Sequence, residues 1–481
     1  MTRFALLATT CLALSACGEA PGGDTAPTQA ETSQSEPAGT PAVAEVEAQD
    51  AQGVLTPAEW ATNAAIYQIN TRQFTDEGTF AAAQEELPRI AEMGIDIIWL
   101  MPVHPIGEEL RKGSLGSPYA VQDYYGVNPE FGTLEDLRAF IDAAHALDMK
   151  VILDWVANHS AWDNALVTEQ PDWYTRDADG NMQHPADTDW TDVVDFNYDN
   201  DALRQYMIDV MAWWVEDVGV DGFRCDVAGM VPIEFWNDLR VRLDTIKPVF
   251  MLAEWETAEH HDRAFEATYA WTWNNLLHDI TVGEGDATAA DMRAWYFDEQ
   301  DGNWPQDGYR LTYVANHDQN AWHSNMFDRF GEGLGAAIAL SVVGEGVPMV
   351  YNGQEAGNAV MLEFFERDPI VWAEHPLNQT FTDLFGLLET NQAIWHGAAG
   401  GQMVPIATGH DDQVLAFTRR KGDDAVLAIF NLSPEPVETV LSEGEMAGSW
   451  TRFGSEETTS FEPGSEIALP AWSYQIYVQG G

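Results

Sequence analysis

A chain of 481 residues, 45% hydrophobic and carrying 19 Trp and 21 Phe, has ample material for a large core and for more than one domain. Its 22 basic and 78 acidic residues leave a net charge of −56, which excludes nucleic acid as a partner, because phosphate binding needs clustered Lys and Arg. Such an excess suits uncharged or cationic partners and a well-solvated surface, either that of a protein kept soluble in salt or that of an ordinary acidic secreted protein.

In chain order, the first element is a targeting segment. Arg3 precedes the apolar run FALLATTCLALSA, which is too short to span a bilayer, since that takes about 20 apolar residues. The run ends in LSAC, which resembles a bacterial lipoprotein cleavage box. That resemblance implies a signal peptide over 1–17, a lipid on Cys17 and an exported protein anchored in a membrane, at the outer membrane or cell surface or facing the periplasm. An ordinary signal peptide cut nearby is the plainer alternative. Cys11 belongs to the signal and Cys17 to the lipid, so Cys225 alone remains and no intrachain disulfide is expected. Residues 18–56 contain no Lys, Arg or aromatic residue and read as a disordered acidic tether.

From Trp60 apolar runs alternate with helical patterns. The runs are AAIYQIN (64–70), IDIIWLMPV (95–103), KVILDWV (150–156), GFRCDV (222–227), VFMLAEW (249–255), a weaker YAWTWN (269–274), YRLTYVAN (309–316) and VPMVYNG (347–353). Between the first two, Ala83, Leu87 and Ile90 share a helical face that ends at Gly94, with Pro88 interrupting it. Thr133 with Asp136 forms a capping box ahead of Leu137, Phe140, Ile141 and Ala144. Leu203, Tyr206, Met207 and Val210 mark another helix. Eight strands alternating with helices predict a parallel sheet closed into a (β/α)8 TIM barrel over 57–394. The longest interruption, 160–195 after strand 3, is rich in Asp, Trp and Asn and reads as a small insertion subdomain; its DADGN (177–181) reads as a turn. After 395 the pattern becomes period two, with VLAFTRRKGDDAVLAIFNLS as a hairpin and WSYQIYV as a late strand, predicting a C-terminal antiparallel β-sandwich over 395–481.

In such a barrel functional side chains project from the C-terminal ends of the strands. The third strand offers Asp154, Asn158 and His159, the fourth Arg224 and Asp226, the fifth Glu254, and the seventh Asn316, His317 and Asp318. Buried charges at this density are costly unless paired or used. Arg224 and Asp226, two apart on a strand, face the same way, so the cation keeps the carboxylate ionised; taken alone they could be a structural ion pair. Cys225 faces away as a small buried hydrophobe, and Asp154 reads as structural.

DWVANH, GFRCDV, the AEW glutamate and VANHD, in this order, resemble four sequence regions of the α-amylase family of glycoside hydrolases, and GSPYAVQDYYGVNPEFGT (116–133) resembles the segment that family carries after its second strand. The resemblance covers about 60–390, and LPAWSYQIYV is similar to the closing strand of the family's C-terminal sandwich. It implies Asp226 as nucleophile, Glu254 as general acid and base, and Asp318 as stabiliser of the distorted sugar. It also implies sugar contacts from Tyr119, His159, Arg224, His317 and Trp255. A calcium ion held by Asn158 and Asp195 is a further implication, weakened because Gly229 and Met230 stand where many calcium-binding members have Lys-His. The expected activity is retaining hydrolysis of α-1,4 bonds in starch or maltodextrins by a monomer without an organic cofactor. A cyclomaltodextrinase, neopullulanase-like or transglycosylating member is the alternative enzyme, and a non-catalytic glycan-binding protein is the alternative of another class.

Overall fold

The computed structural model describes residues 58–297, 304–305 and 307–480. The signal peptide, Cys17 and the tether therefore lie outside the described residues. Eight parallel strands close into a barrel: β1 (Ile66–Ile69), β2 (Ile97–Leu100), β3 (Lys150–Trp155), β4 (Gly222–Cys225), β5 (Phe250–Ala253), β6 (Ala267–Tyr269), β7 (Tyr309–Tyr313) and β8 (Val347–Tyr351), each hydrogen-bonded to its neighbours in sequence and β8 back to β1. Period-two alternation sorts the side chains. Ile66, Ile97, Trp99, Ile152, Leu252, Leu311 and Met349 fill the interior, while Ile98, Val151, Leu153, Phe223 and Met251 pack outward under the helices. Gly222 opens β4 because a Cβ there would lie 1.9 Å from the carbonyl oxygen of Phe250.

The helices follow the expected signals. Thr133 and Asp136 cap the helix Leu134–His145 reciprocally, and Leu137, Phe140, Ile141 and Ala144 are its buried face. Pro88 divides the first crossover into Phe80–Glu85 and Leu87–Glu92. Asp201–Trp213 buries Leu203, Met207 and Val210. The sixth strand is a correction. It is Ala267–Tyr269, and the TWN of the expected run 269–274 belongs to the helix Trp271–Val282. Trp273, Leu277 and Ile280 are buried at helical spacing, so the aromatic cluster that suggests a strand is the start of a helical face.

The insertion after β3 is closed by a two-stranded antiparallel ribbon, His159–Ala161 against Val193–Asp195. Within it Asp177 accepts hydrogen bonds from the amides of Asp179 and Asn181, the turn expected at DADGN. The C-terminal region comprises a six-stranded and a three-stranded sheet, with Val414–Lys421 and Asp424–Asn431 forming the hairpin expected at KGDD, Lys421 opposite Asp424. Among the described residues no helix is long and apolar enough to cross a membrane.

Arg419 joins the two regions. Its wholly buried guanidinium donates to the carbonyls of Gly344 (2.6 Å), Trp395 (2.6 Å) and Gly401 (2.8 Å), and burial lowers its pKa to about 10. Replacing Arg419 by Met would leave several buried carbonyls unpaired, at about 1–3 kcal/mol each. Arg419→Met is expected to lower stability by about 3 kcal/mol or more, read as a fall in the urea midpoint. Lys should recover little, because a point charge cannot reproduce the fork; a midpoint unchanged by Met would refute the role.

Candidate active site

Alternation brings the charges of three adjacent strands to the same mouth. Asp154 continues the inward face of Ile152 on β3, Arg224 and Asp226 share one face of β4 and its end, and Glu254 follows Leu252 on β5. Arg224, fully buried, is the hub. Its Nη1 lies 2.7 Å from Asp154 and 3.0 Å from Asp226, and its Nη2 lies 2.9 Å from Glu254. Its Nε donates to the hydroxyl of Tyr269 at 3.3 Å. One guanidinium thus bridges and spaces three carboxyl groups in a water-poor site, supplying a single positive charge against them.

The backbone turns sharply just past Asp226. Val227 takes φ +36°, a left-handed conformation strained for a β-branched residue. The turn aims its N–H at Glu254, whose Oε2 accepts it at 2.7 Å. Glu254 is therefore gripped at both oxygens, one by a side chain of β4 and one by the main chain that follows it.

A second line of contacts leads from the hub to the rim. Asp154 accepts from Trp99 Nε1 at 3.1 Å and from the Tyr119 hydroxyl at 3.0 Å. That hydroxyl is 2.7 Å from Nε2 of His317, whose Nδ1 accepts from Gln68 Nε2 at 2.7 Å. His317 Nε2 also stands 3.3 Å from Asp318. Asp226, Glu254 and Asp318 thus belong to one continuous cluster. Asp226 and Glu254 are nearly buried, whereas the Asp318 side chain is 41% exposed at the opening.

The electrostatics follow from burial. It pushes the Asp226 carboxyl well above the usual range, with Glu254 adding to the effect and Arg224 opposing it. Burial lifts Asp154 to about 6 against the same Arg224. His317 and His159 are held down to about 3, chiefly by burial, so both imidazoles are neutral hydrogen-bonding groups at ordinary pH.

The other expected residues fall around this cluster with different roles open to them. His159 begins the ribbon of the insertion, its ring 5.5 Å from that of Trp190. Tyr119 lies beside His317, their ring planes within 19°. Trp255 follows Glu254 and fills the space over Gly229, where a Cβ would come 2.0 Å from the indole. The departure at Gly229 is thereby explained, because the indole occupies the volume a larger residue would need. Cys225 is buried on the outward side of β4.

Asn158 and Asp195 do come together. Asn158 Nδ2 donates to Asp195 at 3.3 Å, and the other Asp195 oxygen accepts from Thr175 at 2.8 Å. Calcium takes 6–8 oxygen ligands, several of them usually carboxylate. Here one carboxylate, already engaged at both oxygens, does not fit that demand.

Several residues at the mouth escape the sequence reading. Gln68, which fixes the tautomer of His317, was signalled by being polar inside the run AAIYQIN. Trp99 and Tyr269, which flank Arg224 with ring centroids 5.2 and 5.6 Å from its carbon, read as ordinary core. Phe364 sits in an irregular segment with no pattern to mark it, and Trp322 ends the 6-residue helix His317–Trp322, too short to show a face.

A closed parallel barrel with paired carboxylates on neighbouring strand ends defines the class of barrel glycoside hydrolases. The chain belongs to the α-amylase family: the family model described as "Alpha amylase, catalytic domain" matches residues 49–381, and "Maltogenic Amylase, C-terminal domain" matches 406–476. The structure is similar to that of a maltogenic alpha-amylase from Thermotoga neapolitana, with TM-score 0.79 and 30% identity over 88% of this chain and 99% of that one. In sequence it is 28% identical to the alpha-amylase MalA of Haloarcula japonica over 80% of this chain and 58% of that protein. It is 35% identical to an alpha-1,4-glucan:maltose-1-phosphate maltosyltransferase of Mycobacterium tuberculosis over 45% of this chain and 34% of that protein. The chain therefore spans well under two thirds of the length of these curated relatives.

Proposed function

We propose that this protein hydrolyses α-1,4-glucosidic bonds in starch or maltooligosaccharides with retention of anomeric configuration. The observation that carries the reading is the Arg224 hub, which holds Asp226 and Glu254 on neighbouring nitrogens of one guanidinium. Retaining enzymes keep their two carboxyl groups about 5–5.5 Å apart, too close for an intervening water. Asp226 attacks the anomeric carbon and the glycosidic bond breaks, while Glu254 gives its proton to the departing oxygen. Glu254 then takes a proton from water, which displaces the sugar from Asp226 and regenerates both groups. Asp318, exposed at the rim, accepts hydrogen bonds from the hydroxyls of the distorted ring, and neutral His159 offers a further polar contact. Arg224 remains beneath, favouring the ionised form of Asp226 against burial as charge develops on the sugar.

A second reading, transfer of the glycosyl unit to another sugar, draws support from Trp255. Its indole and the exposed Met230 give the leaving-group side an apolar surface on which a sugar acceptor can rest. Incubation of the purified full chain with soluble starch, pullulan and cyclodextrin, with product analysis, separates the possibilities. Shorter products released first as the α-anomer are expected. Products longer than the substrate would favour transfer, a β-anomer would refute retention, and binding without turnover would favour a non-catalytic glycan-binding protein.

A further inference from the structure

The cleft is walled unequally on its two sides. Glu254, which serves the leaving oxygen, and Trp255 belong to the end of β5. Beyond Tyr119 and His317, on the opposite side, lies the segment that follows β8, and its Phe364 is half-buried against the site. The Phe364 ring is parallel to that of Tyr119 within 9°, with centroids 6.2 Å apart, and lies 6.4 Å from His317 and 5.0 Å from Trp322.

The segment around Phe364 is tied down on three sides. Toward the residues after β7, Asn320 Nδ2 donates to the carbonyl of Val360 and Asn320 Oδ1 accepts from the amide of Leu362, at 3.0 and 2.9 Å. Toward the residues after β1, Gln73 Nε2 donates to the carbonyl of Glu363 at 2.8 Å. Toward the residues after β2, the carbonyl of Phe365 accepts from Leu115 at 3.1 Å and the Glu366 carboxylate accepts from the amide of Ser114 at 2.7 Å. The segment that carries the ring, held by bonds on both flanks, cannot swing aside without breaking several of them at once.

We propose that Phe364 ends the glycone side of the cleft, so that the protein removes short units from non-reducing chain ends instead of cutting long chains internally. The inference rests on the α-glucan reading given above. A sugar attacked by Asp226 directs its leaving oxygen toward Glu254 and therefore its far end toward Phe364. With the aromatic edge in place, the space there admits a chain terminus and excludes a continuing polymer.

The test compares two p-nitrophenyl α-maltoheptaosides, one free and one capped with an ethylidene group at the non-reducing end. The wild type is expected to cleave the capped substrate about tenfold more slowly in kcat/KM, the size of discrimination that one steric contact gives. Phe364→Ala is expected to narrow that ratio and to lengthen the first products from starch. Phe364→Leu, which keeps apolar packing against Trp322, should narrow it less and guards against a misfolded Ala variant. Equal wild-type rates on the two substrates would overturn the wall and leave hydrolysis intact. So would a Phe364→Ala variant with raised KM and unchanged products, which would make the ring a stacking surface within a longer cleft. A folded wild type inert on both would overturn the parent reading and the wall with it.

Discussion

Asp226→Asn is expected to lower kcat on soluble starch by about 10⁴-fold or more, the loss seen when an enzyme's covalent nucleophile is removed. The amide keeps the shape of the side chain and can still sit beside Arg224, so the fold and the affinity for maltooligosaccharides should survive. Glu254→Gln makes the complementary test. Its effect should depend on the leaving group: large on starch, where the departing oxygen needs a proton, and much smaller in the first step on a p-nitrophenyl glycoside, whose phenolate leaves without help. Asp226→Asn should be equally inactive on both substrates, because the nucleophile is needed whatever departs. Starch turnover persisting in purified Asp226→Asn at more than about a hundredth of wild type would sink the nucleophile assignment. A Glu254→Gln variant equally impaired on both substrates would sink the acid role.

Much of this site is legible in the chain because strand periodicity is rigid. Once the eight runs are recognised, the two-residue alternation that buries Phe223 and Cys225 outward sends Arg224 and Asp226 inward, and the strand-end rule brings Asp154 and Glu254 to the same mouth. What periodicity cannot supply is which carboxylate a buried cation takes. Arg224 reads in sequence as the partner of Asp226, two residues away, whereas in space it also holds Asp154 from β3 and Glu254 from β5. The sixth strand fails for a related reason. Its three residues are too few to show a period, and the aromatic residues next to them carry a helical face that a short window reads as β. Phe364 is invisible because an irregular segment has no period at all, and its place is set by bonds to Gln73, Asn320 and Ser114 from elsewhere in the chain; Trp322 ends the 6-residue helix His317–Trp322, too short to show a face. The strained turn at Val227 has no local mark either, since valine is among the residues least suited to φ > 0.

Removing the hub has a sign that can be worked out. The guanidinium of Arg224 holds down the pKa of both Asp154 and Asp226, against burial that lifts them. Arg224→Leu deletes the cation that opposes burial at Asp154 and Asp226, so protonation of these two becomes more favourable and their pKa values rise further. The nucleophile must be ionised to attack, and the acid limb of kcat/KM should therefore move to higher pH. At a fixed neutral pH the rate should fall by about 10²–10³-fold, the scale on which one preorganised electrostatic group acts. Arg224→Lys separates charge from geometry. A single ammonium restores a positive charge, so the acid limb should return part of the way, but it cannot hold Asp226 and Glu254 on two fixed nitrogens, so kcat should stay low. An acid limb that does not move in Arg224→Leu, measured on correctly folded protein, would mean that the charge of Arg224 does not govern the nucleophile, and the hub would then be a structural ion pair at the mouth of the barrel.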